Sequence, residues 1–171
     1  TVKIENLKKM KQAGINWIAL GIESANPDVR DGAQKRMRIK DIEAVVHAIQ
    51  NAGIRVIGNY IFGLPDDTLQ TMRETLDLAK ELNCEFANFY SAMAYPGSKL
   101  YDVAAKEHWQ LPKTWQAFSQ HSYDALPLPT RDRDMASFPV LKKEVENLHE
   151  AFFQSKVPFS GLLSLLVTKR I

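Results

Sequence analysis

Cysteine, net charge and long apolar runs are the features that this sequence has least of. One cysteine in 171 residues allows no internal disulfide and gives no sign of secretion, so we expect a cytoplasmic protein. A formal net charge of +2 gives no reason to expect nucleic acid or a membrane surface as a partner. The longest candidate for a membrane span, at 161–167, is far too short to cross a bilayer.

The composition is that of an ordinary soluble globular protein. Apolar residues make up 45% and charged residues 25% of the chain. The length predicts one domain, or one domain with an appendage. The chain starts without Met and inside a helical pattern, so we expect it to be part of a longer protein.

Three helical patterns are each followed by an apolar strand pattern. The helices are predicted to end at Gly14, Gly53 and Asn83, because Gly and Asn tolerate the left-handed conformation that closes a helix. The strand patterns are almost continuously apolar, which is typical of strands buried on both faces. Helix and strand in alternation predict an α/β fold with parallel strands and right-handed crossovers.

The segment NYIFGLPDDT at 59–68 carries a strand into a glycine-containing turn. The carboxyl ends of parallel strands are where α/β folds bind ligands, and Gly63 would let the backbone approach one. The alternative is that Gly63, Leu64 and Pro65 form only a turn. We expect Asp67 and Gln70 to form a capping box at the start of the next helix.

Three segments taken in order resemble the later half of a radical S-adenosylmethionine (radical SAM) barrel. They read GIESANPDVRDGAQKRM, NYIFGLPDDT and NFYSAMAYPGSKLYD. The resemblance covers about residues 1–135 and is strongest to the branch whose full proteins carry a cobalamin-binding domain upstream. It implies the C-terminal half of a partial (βα)6 TIM-like barrel at 1–108. The extension at 109–171 is predicted to hold an irregular segment, an amphipathic helix at about 137–155 and an apolar tail.

The resemblance implies several positions that contact S-adenosylmethionine. Glu23, at the end of an apolar strand, would accept hydrogen bonds from the ribose hydroxyls, with Ser24 beside it. Lys35 resembles a basic position near the methionine carboxylate, which needs a charged partner when it is half-buried. Met93, near the end of the last strand, is a candidate to line the pocket.

The second implied set comes from the family signature G-x-I-x-G-x-x-E, which is associated with the adenine of S-adenosylmethionine. At residues 59–66 of this chain, Ile61 and Gly63 match the signature. Asn59 stands in place of the first Gly, and Asp66 stands in place of the Glu. Ile61 would contact the adenine through its apolar side chain.

The family also needs three cysteines, normally spaced C-x-x-x-C-x-x-C, to hold a 4Fe-4S cluster. This chain has only Cys84, and a single thiolate cannot hold such a cluster, so we expect the cluster ligands to lie outside this chain. Cys84 is expected to be a small buried residue. The four histidines lack metal-ligand spacing, which makes a zinc site improbable.

The resemblance therefore implies part of a radical SAM enzyme that contributes to the cofactor and substrate pockets. The parent protein would carry out radical methylation, rearrangement or ring formation on a small molecule, with cobalamin as a further cofactor. Its partners would be that substrate and the missing N-terminal half. Two alternatives remain: a stand-alone α/β ligand-binding module without catalysis, and a metal-free barrel enzyme that uses Glu23 and Lys35 as acid and base.

Overall fold

The computed structural model of the chain contains three strands connected by helices. It describes residues 3–32 and 39–119 and, beyond them, the helical positions Lys143, Asn147 and Glu150. After a 3₁₀ turn at Ile4–Asn6, the elements are α1 (Leu7–Gln12), β1 (Trp17–Glu23), α2 (Pro27–Gly32), α3 (Ile39–Asn51), β2 (Arg55–Phe62), α4 (Leu69–Leu82), β3 (Phe86–Ser91) and α5 (Lys99–Lys106). A second 3₁₀ turn spans Gln116–Phe118.

The strands form one parallel sheet in the order β1-β2-β3. Each crossover passes through helical segments, as parallel neighbours require. The predicted α/β class with three parallel strands is confirmed. Since β2 lies in the middle, its carboxyl end is flanked by those of both other strands.

The two faces of the sheet differ in burial. On the helix-covered face, Val56, Tyr60 and Phe62 are fully buried against α3 and α4. The opposite face, called the open face below, carries alternate residues that are exposed or half-buried: Trp17, Ala19, Gly21, Arg55, Ile57, Asn59, Ile61, Phe86, Asn88 and Tyr90. The prediction that both faces are buried is therefore wrong for the described residues, which cover only one face.

The predicted helix ends are confirmed at all three positions. Gly14 and Gly53 have φ of +88° and +73°, and Asn83 caps α4 in the left-handed conformation. The predicted capping box of Asp67 and Gln70 is wrong. Thr68 caps α4 instead, with its side chain accepting from the Thr71 amide while Thr71 Oγ1 accepts from the Thr68 amide.

The helix-covered face is packed tightly around Tyr60. The Tyr60 ring lies over Gly58, where an added Cβ would come within 2.8 Å of Tyr60 Oη. Phe89 stacks on Tyr60 and Phe62 with ring centroids 5.0 and 5.1 Å apart. Cys84, beside Tyr60, is buried as predicted. Burial raises the pKa of the Tyr60 phenol far above its ordinary value, and the Cys84 thiol adds to the effect.

The C-terminal extension is only partly covered by the described residues. Of the amphipathic helix predicted at about 137–155, Lys143, Asn147 and Glu150 are described; they are helical and exposed, and the rest lies outside the described residues. The domain boundary at 108/109 stays a prediction. Among the described residues, no helix is both long and apolar enough to cross a membrane.

Candidate cofactor-binding site at the carboxyl ends of the strands

The carboxyl ends of the three strands lie side by side at one edge of the sheet. β1 ends at Glu23, and the register pairs Phe62 of β2 with Ser91 of β3. Beyond the last pair, the Ala92 amide donates to the Phe62 carbonyl at 2.7 Å, which keeps the two chains together as they leave the sheet. This edge therefore brings the neighbourhoods of Glu23, Gly63 and Met93 together, as ligand sites of α/β folds require.

Glu23 adopts a strained backbone conformation at this edge. Its φ is +68°, a region that non-glycine residues seldom occupy. The register between β1 and β2 shifts between Gly21 and Glu23, so that Glu23 pairs with Tyr60 in an irregularity of the bulge type. Bulges re-aim side chains beside active sites, and such strain persists where the surrounding structure enforces it. The half-buried Glu23 carboxylate is therefore directed by a built feature of the strand end.

The turn after β2 is organised by the buried carboxylate of Asp67. Gly63, with φ of +81°, and Leu64 both donate their amides to Asp67 Oδ2, at 2.9 and 3.1 Å. The Thr71 hydroxyl donates to Asp67 Oδ1 at 2.6 Å. These three bonds to a carboxylate with no exposed surface fix the backbone at Gly63. Asp66, which occupies the signature position, is half-buried and lines a cleft instead.

A second buried polar group ties β1 to α4. Ser24 is fully buried, and its hydroxyl lies 3.1 Å from Thr75 Oγ1. Thr75 Oγ1 also accepts from the Ala25 amide at 2.9 Å and donates to the Thr71 carbonyl at 2.9 Å. A continuous set of hydrogen bonds thus runs from Ser24, through two turns of α4, to Asp67. It holds the end of β1 and the turn after β2 in one fixed arrangement.

The predicted site residues fall into four groups. Glu23, Gly63 and the buried Met93 lie at the carboxyl edge of the sheet. Ser24 is turned toward α4, so its geometry is that of a brace rather than of a ligand contact. Lys35 lies outside the described residues.

The other two predicted residues lie on β2 and point to the open face. Ile61 is half-buried and packs against a small apolar cluster around Ala92, Ala94 and Ala104. Asn59 accepts a hydrogen bond from Asn88 Nδ2 at 2.9 Å. Both therefore face the side of the sheet away from α3 and α4.

Sequence reasoning missed three residues that shape this edge: Asp67, Thr75 and Asn88. The sequence pattern assigns Asp67 to a helix cap. An acidic residue shortly after Gly-Leu-Pro can instead accept hydrogen bonds from the amides of that turn, and its position was the available signal. Thr75 reaches Ser24 across 51 positions, and no local pattern indicates such a contact. Asn88 is the one amide within an aromatic strand pattern, and its polarity was the available signal.

A cleft of about 240 Å³ adjoins this edge beside the turn that follows β2. Its lining is mainly apolar and comes from α2, the turn after β2 and α5: Val29, Leu64, Pro65, Asp66, Lys99, Leu100 and Val103. Among the described residues, no three His, Cys, Asp or Glu side chains group closely enough to hold a metal ion. The site geometry therefore offers an organic ligand close approach to the backbone at Gly63, the half-buried acidic residues Glu23 and Asp66, and apolar surface.

Comparison with known proteins bears on the family of this chain. A family model described as the radical SAM superfamily matches residues 1–79. An uncharacterised methyltransferase of Pyrococcus horikoshii is 30% identical over 112 residues, which cover 66% of this chain and 24% of that protein. Over the matched residues, the chain is similar to the radical SAM superfamily.

Solved structures of radical SAM proteins share its fold. Coproporphyrinogen III oxidase (HemN) of Escherichia coli gives a TM-score of 0.62 at 19% identity, covering 94% of this chain and 32% of HemN. The radical SAM methyltransferase TsrM of Kitasatospora setae, with cobalamin and a [4Fe-4S] cluster bound, gives 0.58 at 17% identity, covering 78% of this chain and 27% of TsrM. The chain spans about a quarter of the curated relative and about a third of HemN.

Proposed function

We propose that this chain forms one wall of the S-adenosylmethionine and substrate pockets in a longer radical SAM enzyme. The whole enzyme carries out radical methylation, rearrangement or cyclisation of a small molecule. In this proposal the rest of the barrel comes from the N-terminal half of the same protein, and cobalamin is bound by a domain outside this chain. Support for cobalamin comes from the family resemblance and from the TsrM structure, which has cobalamin bound.

The observation that carries the proposal is the pairing of two unusual backbone conformations at one edge of the sheet. Glu23 is held at a positive φ in a register shift, and Gly63 is held at a positive φ by Asp67. A half-buried carboxylate suits the two ribose hydroxyls, since charged acceptors form the stronger hydrogen bonds. The Gly63 backbone and the Ile61 side chain suit a flat apolar base, and Met93 completes the apolar lining.

The residues present fit S-adenosylmethionine but do not fit the iron–sulfur cluster. The chain has one cysteine, Cys84, and its side chain is buried beside Tyr60 on the helix-covered face. In this family the bound cofactor supplies a 5′-deoxyadenosyl radical. The part of this chain is to hold the nucleoside, orient it toward the barrel cavity and exclude water. Lys35 is proposed to pair with the methionine carboxylate, on the resemblance alone.

The test is Glu23→Gln in the full-length protein, with affinity for S-adenosylmethionine measured by calorimetry. The change keeps the side-chain size and removes the charge, so we expect binding to weaken about tenfold or more while the melting temperature hardly changes. Glu81→Gln, on the exposed side of α4, is the matched control and should alter neither quantity. Unchanged affinity together with a large fall in melting temperature would make Glu23 a structural brace and overturn the assignment.

A second test separates a pocket wall from a complete enzyme. After anaerobic reconstitution, the 171-residue chain alone is expected to bind no iron–sulfur cluster and to cleave no S-adenosylmethionine, because it has one cysteine. Iron analysis and electron paramagnetic resonance give the readout. About four irons per chain, with cleavage activity, would contradict the proposal. Binding of S-adenosylmethionine by a full-length protein that holds no cluster would favour a non-catalytic binding module.

A further inference from the structure

Asn59 and Asn88 form a polar pair in the middle of the open face. They are register partners on β2 and β3, and both are half-buried. Along the two strands their neighbours on this face are Ile57, Ile61, Phe86 and Tyr90, which are largely apolar. On the other side of Asn59, the register partner on β1 is Gly21, which has no side chain. Among the described residues, the pair therefore lies on an otherwise apolar stretch of the open face, with no β1 side chain opposite Asn59.

The hydrogen-bonding capacity of the pair is mostly unused. Asn88 Nδ2 donates to Asn59 Oδ1 at 2.9 Å, and in the described part of the chain neither side chain makes another hydrogen bond. Each primary amide has two N–H donors and one carbonyl acceptor. The shared bond leaves Asn59 both of its N–H donors and leaves Asn88 its carbonyl. If Asn59 donates to Asn88 instead, the same kinds of group remain unused. In either case a donor and an acceptor stay available side by side.

Burying such groups without partners is costly, so a cavity closed over this face has to satisfy them. The charge of the surroundings limits which ligand group can do so. The cation that these strands place on the open face is Arg55, four residues from Asn59 and about 13 Å along the strand. The guanidinium carbon of Arg55 lies 5.2 Å from the centre of the Trp17 ring. Among the described residues of this face, a carboxylate at the pair would have no adjacent cation, whereas a neutral group with its own donor and acceptor would be matched.

We propose that the Asn59–Asn88 pair binds a planar carboxamide or lactam group of the substrate. The N–H of one asparagine donates to the ligand carbonyl while the carbonyl of the other accepts from the ligand N–H. This inference rests on the proposed function, because it needs the open face to line the ligand cavity. The inference assigns Asn59 to substrate binding rather than to cofactor binding. Asn59 lies four residues before Gly63 and is therefore farther from the carboxyl edge of the sheet.

The test uses small probes and the full-length protein, labelled with nitrogen-15 so that asparagine side-chain signals can be followed by NMR. The probe is 2-pyridone, whose carbonyl and N–H lie side by side. The matched probe is N-methyl-2-pyridone, which keeps the ring and the carbonyl but lacks the N–H. We expect 2-pyridone to shift the side-chain amide signals of Asn59 and Asn88 saturably. The methylated probe should bind about tenfold more weakly, because it leaves one partner unsatisfied.

Two variants make the result specific to the pair. Asn88→Leu and Asn59→Leu each remove one amide at similar size, and either variant that keeps a dispersed backbone spectrum should lose 2-pyridone binding. Asn51→Leu, at the exposed end of α3, is the same substitution away from the open face and should leave binding unchanged.

Several results would overturn the inference. They are equal binding of the two pyridones, tighter binding of acetate than of 2-pyridone, and no shift of either asparagine signal up to the solubility limit of the probe. The outcome is separable from that of the proposed function. If Glu23→Gln weakens S-adenosylmethionine binding but 2-pyridone does not bind, the proposed function stands and this inference falls. If 2-pyridone binds through the pair but Glu23→Gln has no effect on the cofactor, the cofactor assignment falls instead.

Discussion

The two faces of the sheet use the same strands for different purposes. On the helix-covered face, alternate residues of β2 such as Tyr60 and Phe62 are fully buried against other apolar side chains. On the open face, the intervening residues Asn59 and Ile61 are half-buried, and the polar one keeps unused hydrogen-bonding groups. Because successive side chains of a strand point to opposite faces, β2 can stabilise the fold with one set and present chemistry with the other.

The largest expected effect comes from comparing two phenylalanines on opposite faces. Phe62 is 0% exposed and Phe86 is 44% exposed. Phe62→Ala should lower the free energy of unfolding by about 3–5 kcal/mol, because it leaves a cavity in the core. Phe86→Ala should cost less than about 1 kcal/mol, as surface changes do. Urea unfolding of both variants measures the difference. Equal losses would mean that the open face is packed by other parts of the chain.

An intermediate loss of stability is expected from a change in the turn after β2, the strand that contributes to both faces. Asp67→Asn replaces one carboxylate oxygen by an NH2 group, which cannot accept a hydrogen bond. Depending on which oxygen is replaced, either the Gly63 and Leu64 amides or the Thr71 hydroxyl lose their acceptor. We expect a loss of about 1–3 kcal/mol in the free energy of unfolding. Asp66→Asn, one residue earlier and half-buried, is the matched change and should cost less. A larger loss for Asp66 would show that the acidic signature position, and not Asp67, braces the turn.

The smallest effect is a pH dependence specific to the helix-covered face. Tyr60 has a raised pKa in the folded chain, while in the unfolded chain its pKa returns to about 10. The stability that Tyr60 contributes is fully present below pH 10 and is lost as the pH rises above it, because the unfolded state then releases a proton that the folded state keeps. The slope for this one group approaches about 1.4 kcal/mol per pH unit.

Tyr60→Phe should remove that part of the alkaline destabilisation. Denaturant unfolding at about pH 8 and pH 11 compares the variant with the unchanged chain. Near neutral pH the variant should be about as stable as the parent, since the buried Tyr60 hydroxyl has only the weakly hydrogen-bonding Cys84 thiol beside it. The same alkaline slope in both proteins would show that the Tyr60 phenol is not protected by burial.

How far the sequence predicts this molecule depends on whether the determining contacts are local. The helix ends at Gly14, Gly53 and Asn83 were predictable because a single residue type decides each one. The parallel α/β order followed from the alternation of patterns. The capping box was predicted one residue too early, since Asp67 is occupied by the preceding turn and Thr68 takes the cap.

The position of the candidate site could be predicted from the sequence, but the hydrogen bonds that hold its elements together could not. The carboxyl strand ends at Glu23 and Gly63 could be assigned from the pattern and the family resemblance. The contact between Ser24 and Thr75 joins residues 51 positions apart, so it depends on the packed geometry of β1 against α4. The pairing of Asn59 with Asn88 likewise depends on the register of two strands, which apolar patterning alone does not determine.

The Trp17 side chain at the amino end of β1 gives the open face an optical property. It is 45% exposed, and Arg55 lies over its ring at 5.2 Å. Indole emission moves to shorter wavelength when water is removed from around the ring and dims when a quencher comes close. A ligand or protein segment that binds the open face near this end has to displace the water around Trp17. With Trp109 and Trp115 replaced by phenylalanine, the chain therefore carries its own fluorophore for timing and titrating that event, with no dye attached.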